Sequence, residues 1–200
     1  KYKGNLALDG LTELSDAAAE SLSKHYGKHK CNYLSLNGLR KLSDAAAESL
    51  SKHEGSLRLQ SRNLLNGLKK LPDAAAKSLS KHEGSLHLEG LTELSDAAAE
   101  TLSKHEGTLF LNGLTELSDA AAESLSKLER GLYLSGLTEL SDAAAEALSK
   151  HEGDLNLKGL TELSDPAAES LSKHKGPLGI GGGIVVPSEL QAKVDSFKNG

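Results

Sequence analysis

Leucine sets the rhythm of this chain. A Leu-x-Leu pair recurs with its first leucine at Leu6, Leu34, Leu57, Leu86, Leu109, Leu132, Leu155 and Leu178. The intervals are 28, 23, 29, 23, 23, 23 and 23, so a 23-residue unit underlies the chain, with two insertions near its start. The unit reads L-x-L-x-G-L-T-E-L-S-D-A-A-A-E-S-L-S-K-H-E-G-x. Its first part alternates apolar and polar positions, which predicts a short strand with leucine on one face. Its second part places Leu14, Ala18, Leu22 and His25 at spacings of 4, 4 and 3, one face of a helix. Ser15 suits the N-cap, Asp16 the first turn, and Gly27 a C′ position with positive φ. Where Pro72 replaces the capping serine, Asp73 is expected to take over. Pro166 replaces an alanine in the first turn, where proline is tolerated.

One unit cannot fold alone. Its five or so leucines contribute about 1.5–3 kcal/mol each on burial, whereas ordering the backbone costs about 1–2 kcal/mol per residue. The units must therefore stack into a quasi-one-dimensional α/β solenoid. Strands pair about 4.8 Å apart while helices need about 10 Å each, so strands are expected on a concave side and helices on a convex side. The expected organisation is a remnant of a preceding repeat over residues 1–4, seven repeats over 5–176, and a degenerate C-terminal repeat or cap over 177–200. In that cap, Ser188 to Phe197 reads as an amphipathic helix with Leu190, Val194 and Phe197 on one face.

The segment Leu6-x-Leu8-x-x-Leu11-x-x-Leu14-Ser15-Asp16-x-Ala18-x-x-x-Leu22 resembles the leucine-rich repeat in its cysteine-containing form, with Leu in place of the consensus Cys and Leu-Ser in place of Ile-Thr. The unit is a few residues shorter than usual there and is similar to short, Ala-rich arrays of bacterial proteins. The resemblance covers roughly residues 5 to 178. It implies a right-handed arc with a parallel sheet on its concave face and a binding role, and it carries no catalytic residues.

Two breaks interrupt the pattern. The first insertion, about Lys28 to Asn32, falls between a helix and the next strand. The second, about Gln60 to Leu64, falls between strand and turn. Leu57-Arg58-Leu59 is preferred as the third strand over Asn63-Leu64-Leu65, which would put Asn63 in the core. Both insertions read as surface loops.

Composition narrows the function. The chain has 200 residues, with 2 Phe, 4 Tyr and no Trp or Met, so Leu and Ala must fill the core. The net charge of −5 argues against a nucleic-acid partner, although Lys28 to Gly84 holds 11 Lys/Arg against 5 Asp/Glu. No run is long and apolar enough to span a membrane. The single cysteine, Cys31, allows no intrachain disulfide and reads as a bystander thiol. The glycines near the end fail the G-x-G-x-x-G template at Ile184, so no dinucleotide cofactor is indicated.

Candidate chemistry is mostly columnar. His25, His53, His82, His105, His151 and His174 share one column with Leu128. Helices about 10 Å apart cannot bring such rings to the 2.0–2.1 Å or so that zinc requires. A structural, half-buried ring is therefore expected, and no metal. Ser, His and Asp recur in every unit, and no single copy stands out as a triad, so no enzyme is expected. The column of Thr12, Thr92, Thr115, Thr138 and Thr161 lies in the turn, is interrupted by Arg40 and Lys69, and does not form a flat ladder.

The positions between the leucines vary instead. Arg58, His87, Phe110, Tyr133 and Asn156 form one row, and Glu89, Asn112 and Lys158 an adjacent one. Alternation places both rows on the concave face. Phe110 beside Tyr133 with Arg58 near by has the composition of a binding hot spot. A partner protein or glycan is expected there, and the alternative is a passive spacer or scaffold within a larger repeat protein. Truncating Phe110 and Tyr133 is expected to leave stability nearly unchanged. An uncovered N-terminal edge would favour end-to-end self-association.

Overall fold

A computed structural model describes residues 5–26, 33–60, 68–182, 184, 188 and 190, without the side chains of His25 and Tyr26. The expected remnant at 1–4, Gly27, Cys31, the residues of the first insertion, Asn63 to Leu65, Val194 and Phe197 lie outside them.

Strand and helix alternate throughout. The strands are β1 (Leu6–Ala7), β2 (Tyr33–Ser35), β3 (Ser56–Arg58), β4 (Leu86–His87), β5 (Leu109–Phe110), β6 (Leu132–Tyr133), β7 (Leu155–Leu157) and β8 (Leu178–Ile180). The helices are α1 (Asp16–Tyr26), α2 (Asp44–Ser51), α3 (Asp73–Leu79), α4 (Asp96–Leu102), α5 (Asp119–Leu125), α6 (Asp142–Ser149) and α7 (Asp165–Ser172). The strands form one parallel sheet in chain order, β1 through β8, which does not close into a barrel. This is an open α/β repeat solenoid.

The register is set by the leucine column. Leu6, Leu34, Leu57, Leu86, Leu109, Leu132, Leu155 and Leu178 pair one with the next. Leu57 thus lies between Leu34 and Leu86, so the third strand takes the Leu57 register and runs over Ser56–Arg58. Both leucines of each pair turn inward, as do the last two alanines of the run in α2 to α7, and together they form one continuous core. Small alanines let neighbouring helices approach a sheet whose strands are only two or three residues long.

Three devices tie one repeat to the next. The first is at the helix start. The N-cap hydroxyls of Ser43, Ser95, Ser118, Ser141 and Ser164 accept from the backbone of the third helical residue. The same hydroxyls donate to the first-turn aspartate of the preceding repeat: Ser95 to Asp73, Ser118 to Asp96 and Ser141 to Asp119 at 2.5 Å, with Ser43 to Asp16 and Ser164 to Asp142 alike. The Ser-Asp pair is therefore a rung as well as a cap. At α3 the N-cap is Pro72, with no side-chain cap. Asp73 does not take over, because as first helical residue its carboxylate faces forward to Ser95.

The second device is glycine. Only Gly55 has a positive φ among the described residues (113°), so the His-Glu-Gly column is not kept for a left-handed cap. The helices end instead in tight turns such as His105 N–H to Leu102 O at 3.0 Å. The glycines are there because backbones nearly touch. A Cβ on Gly107 would stand 2.2 Å from Gly84 O, and one on Gly136 would stand 2.2 Å from Asn112 O, each in the preceding repeat.

The third device is the histidine column. His53, His82, His105, His151 and His174 are 0–2% exposed, not half-buried. Apart from α1, the helices end before this column, so the rings are not spaced as helix axes are. They stack face to face at 6.2 Å (His53–His82), 6.3 Å (His82–His105) and 6.0 Å (His151–His174). Leu128, 1% exposed, fills the same place in the fifth repeat.

The two ends differ. Leu178, Ile180 and Leu190 are 0–4% exposed at the C-terminal end. At the other end Leu11 is 38% exposed, and Leu6, Leu8, Leu14 and Leu22 are only partly covered. No helix among the described residues is long and apolar enough to cross a membrane.

Candidate functional site

Each strand turns its middle residue away from the helices, because successive side chains alternate. Parallel pairing then sets equivalent residues side by side. Arg58 pairs with His87, His87 with Phe110, Phe110 with Tyr133, and Tyr133 with Asn156. The five residues of the expected row are contiguous on the outward face of the sheet.

Ring contacts convert the row into a stack. His87 and Phe110 lie 4.1 Å apart, centroid to centroid, at an interplanar angle of 4°. Phe110 and Tyr133 lie 4.5 Å apart at 27°. At the other end, the Arg58 guanidinium sits 4.3 Å over the Tyr33 ring. All four of Arg58, His87, Phe110 and Tyr133 are half-buried. The stack is closer than the 6.0–6.3 Å of the histidine column, the direction expected when strands line the inner side of an arc.

The second row is partly structural. Asn112 Oδ1 accepts the backbone N–H of Ser135 at 3.1 Å and its hydroxyl at 2.8 Å, in the next repeat. Asn37 Oδ1 does the same for Gln60 N–H at 3.1 Å, and Asp9 for Asn37 N–H at 3.3 Å. The fold thus favours a short acceptor here. Glu89 is one methylene longer and turns to His87, with Oε1 at 3.3 Å from Nδ1. Gln60 Nε2 approaches the same Nδ1 at 3.5 Å. Asn156 Oδ1 accepts the backbone N–H of Lys158 at 3.1 Å, and the Lys158 side chain is exposed.

Two residues of this surface were not singled out from sequence: Tyr33 and Gln60. Tyr33 lies two residues before Ser35 on the same strand, so period-2 alternation would have placed it on the outward face. Electrostatically the surface is mixed. Burial, and then the Asp154 carboxylate, raise the Tyr133 phenol above its ordinary pKa of 10, so it stays a neutral donor. Arg58 Nε and Glu89 Oε2 are buried with no hydrogen-bond partner among the described residues.

Chemically the surface can offer ring edges, a guanidinium, a carboxylate and amides. Among the described residues no cluster of three or more His, Cys, Asp or Glu could hold a metal ion. A groove opens on the other side, between α5 and α6, where Glu123 and Glu146 pair with Lys127 and Lys150 just past the ends of those helices. No protein-family model matches the chain, and no curated protein matches it significantly.

Proposed function

We propose that the chain is a leucine-rich-repeat module, in a short form, that binds another protein through the outward face of its sheet and catalyses nothing. The observation that carries this reading is the contiguous stack His87–Phe110–Tyr133, which gathers three of the chain's few large rings on one exposed face. Its geometry favours a protein over a glycan. The ring faces point along the solenoid axis and cover one another, so a sugar ring has little free π-face to lie on. The ring edges point outward, where they suit apolar side chains flanked by Arg58, Glu89 and Asn112 as polar partners.

A spacer or scaffold role is favoured by one specific observation. Asn37 and Asn112 tie their own repeat to the next, which gives part of the surface a purely structural use. Site-specific photo-crosslinking separates the two readings. A photoreactive phenylalanine at position 110 should trap a partner, and one at Thr138, on the exposed turn edge, should not. Equal labelling at the two sites, or labelling at 138 alone, would sink the binding-face reading.

A further inference from the structure

We infer that the buried histidine column is an acid-operated clasp. Protonation of the stacked rings of His53, His82 and His105 opens the turns after α2, α3 and α4, while the turn that carries Leu128 stays shut.

The geometry starts with three rings in an unbroken row, their centroids 6.2 and 6.3 Å apart and their planes nearly parallel at 6° and 4°. None is more than 2% exposed. Two of the rings are wedged under the glycine of their own turn: His82 Nε2 lies 3.1 Å, and His105 Nε2 2.8 Å, from where a Cβ on Gly84 or Gly107 would sit. His82 Nδ1 also reaches back to Ser51 O of the preceding repeat at 3.4 Å. The ring is thus the piece that joins one turn to the next on the helix side. Neutral, it fits. Charged, it stands in a closed site against a like charge about 6 Å away, without water to screen either.

The charged groups around the column do not reverse this. Around His82, Glu83 and Glu106 are matched by Lys77, Lys81 and Lys104. Around His53, Glu48, Glu54 and Glu83 face Lys52 and Lys81. Burial accordingly dominates: it lowers the pKa of His53 to about 4, with the neighbouring His82 adding to the effect. It also lowers His82, against smaller opposing contributions from the Gly55 and Ser51 backbone and from Glu83. His105 is lowered by burial and then by His82. A histidine with a depressed folded pKa leaves the fold fully stable above the unfolded value of 6.5. Stability is then lost as pH falls from 6.5 towards the folded value, because the unfolded chain binds the proton first. For His53 the window is therefore about pH 6.5 to 4, and His82 and His105 act in the same direction.

Residue-resolved hydrogen exchange of the full chain at steps from pH 7 to 4.5, corrected for intrinsic rates, tests this. Amides from Lys81 to Leu86 and from Lys104 to Leu109 should lose about ten-fold or more of their protection, while those from Lys127 to Leu132 keep theirs. In Leu128→His, where the stack becomes continuous from His53 to His174, the fifth turn should become acid-sensitive too. In His82→Leu the response of the turn after α3 should vanish. A uniform loss across all turns in the native chain would overturn the inference. So would an acid-resistant fifth turn in Leu128→His, which decides the matter even if His82→Leu fails to fold.

Discussion

Gly136 and Gly10 occupy the same place in the repeat, and only Gly136 has a described repeat before it. Replacing each by alanine therefore measures repeat-to-repeat contact directly. In Gly136→Ala the new Cβ would stand 2.2 Å from Asn112 O and 2.6 Å from Leu114 O. Ordinary contact needs about 3.5 Å, so the turn must retreat by about 1 Å. That turn follows β6, whose Tyr133 O accepts from Leu111 N–H at 2.8 Å and whose Leu134 N–H donates to Asn156 O at 2.8 Å. Retreat from the preceding repeat stretches the first of these bonds to the limit of useful geometry. Overpacking costs about 1–3 kcal/mol and a weakened hydrogen bond about 1 kcal/mol more, so a loss of about 2–4 kcal/mol is expected. In Gly10→Ala nothing lies within 4 Å, and Gly10 does not have a positive φ. Lower unfolded-state entropy should then leave stability unchanged or raise it by about 0.4–1 kcal/mol. Urea denaturation of the three proteins, with m-values compared, reads both effects. Equal losses at the two positions would refute the reasoning, since they would mean that the glycine serves its own turn and not the neighbour.

Further expectations follow from the same contacts. Pro72→Ser should supply the missing rung to Asp44 and raise stability by about 0.5–2 kcal/mol; a double-mutant cycle with Asp44→Ala should show coupling, and its absence would remove the rung from the account. Leu39→Lys, at a site 2% exposed, should unfold its end of the array, while Leu11→Lys, at a site 38% exposed, should cost under about 0.5 kcal/mol. If copies of the chain join through that end, sedimentation of Leu11→Lys should show the association lost. Phe110→Ala removes two stacking contacts worth about 0.5–1.5 kcal/mol each, so the near-neutral cost expected from sequence is replaced by about 1–3 kcal/mol, readable as a shift in the urea midpoint.

The architecture was legible because the hydrophobic period is unusually strict. Leucines 23 residues apart can all face inward only if the units lie side by side, and the eight leucines do pair in that register. The outward row was legible for the same reason, through strand alternation. What a repetitive sequence hides is whether a constant residue serves its own unit or the next. Serine reads as a cap, and it is one, but its donated bond to the preceding aspartate leaves no mark in the spacing. Glycine after a helix reads as a left-handed cap, yet here it clears a neighbour's carbonyl. Histidine at the end of the unit reads as a half-buried ring. Its burial follows from the tight turn that ends the helix early and folds the ring under the glycine, a three-dimensional event without a periodic signature. Asn112 read as a free position, although its carboxamide accepts from the next strand.

Everything rests on neighbouring units being joined by parallel backbone bonds between their strands. Scalar couplings across hydrogen bonds, measured by NMR on isotope-labelled protein, test that without intermediaries. The account predicts couplings from the amides of Leu88, Leu111 and Leu134 to the carbonyls of Phe110, Tyr133 and Asn156. Couplings of these three amides to carbonyls within their own repeat, or to a partner running in the opposite direction, would contradict it.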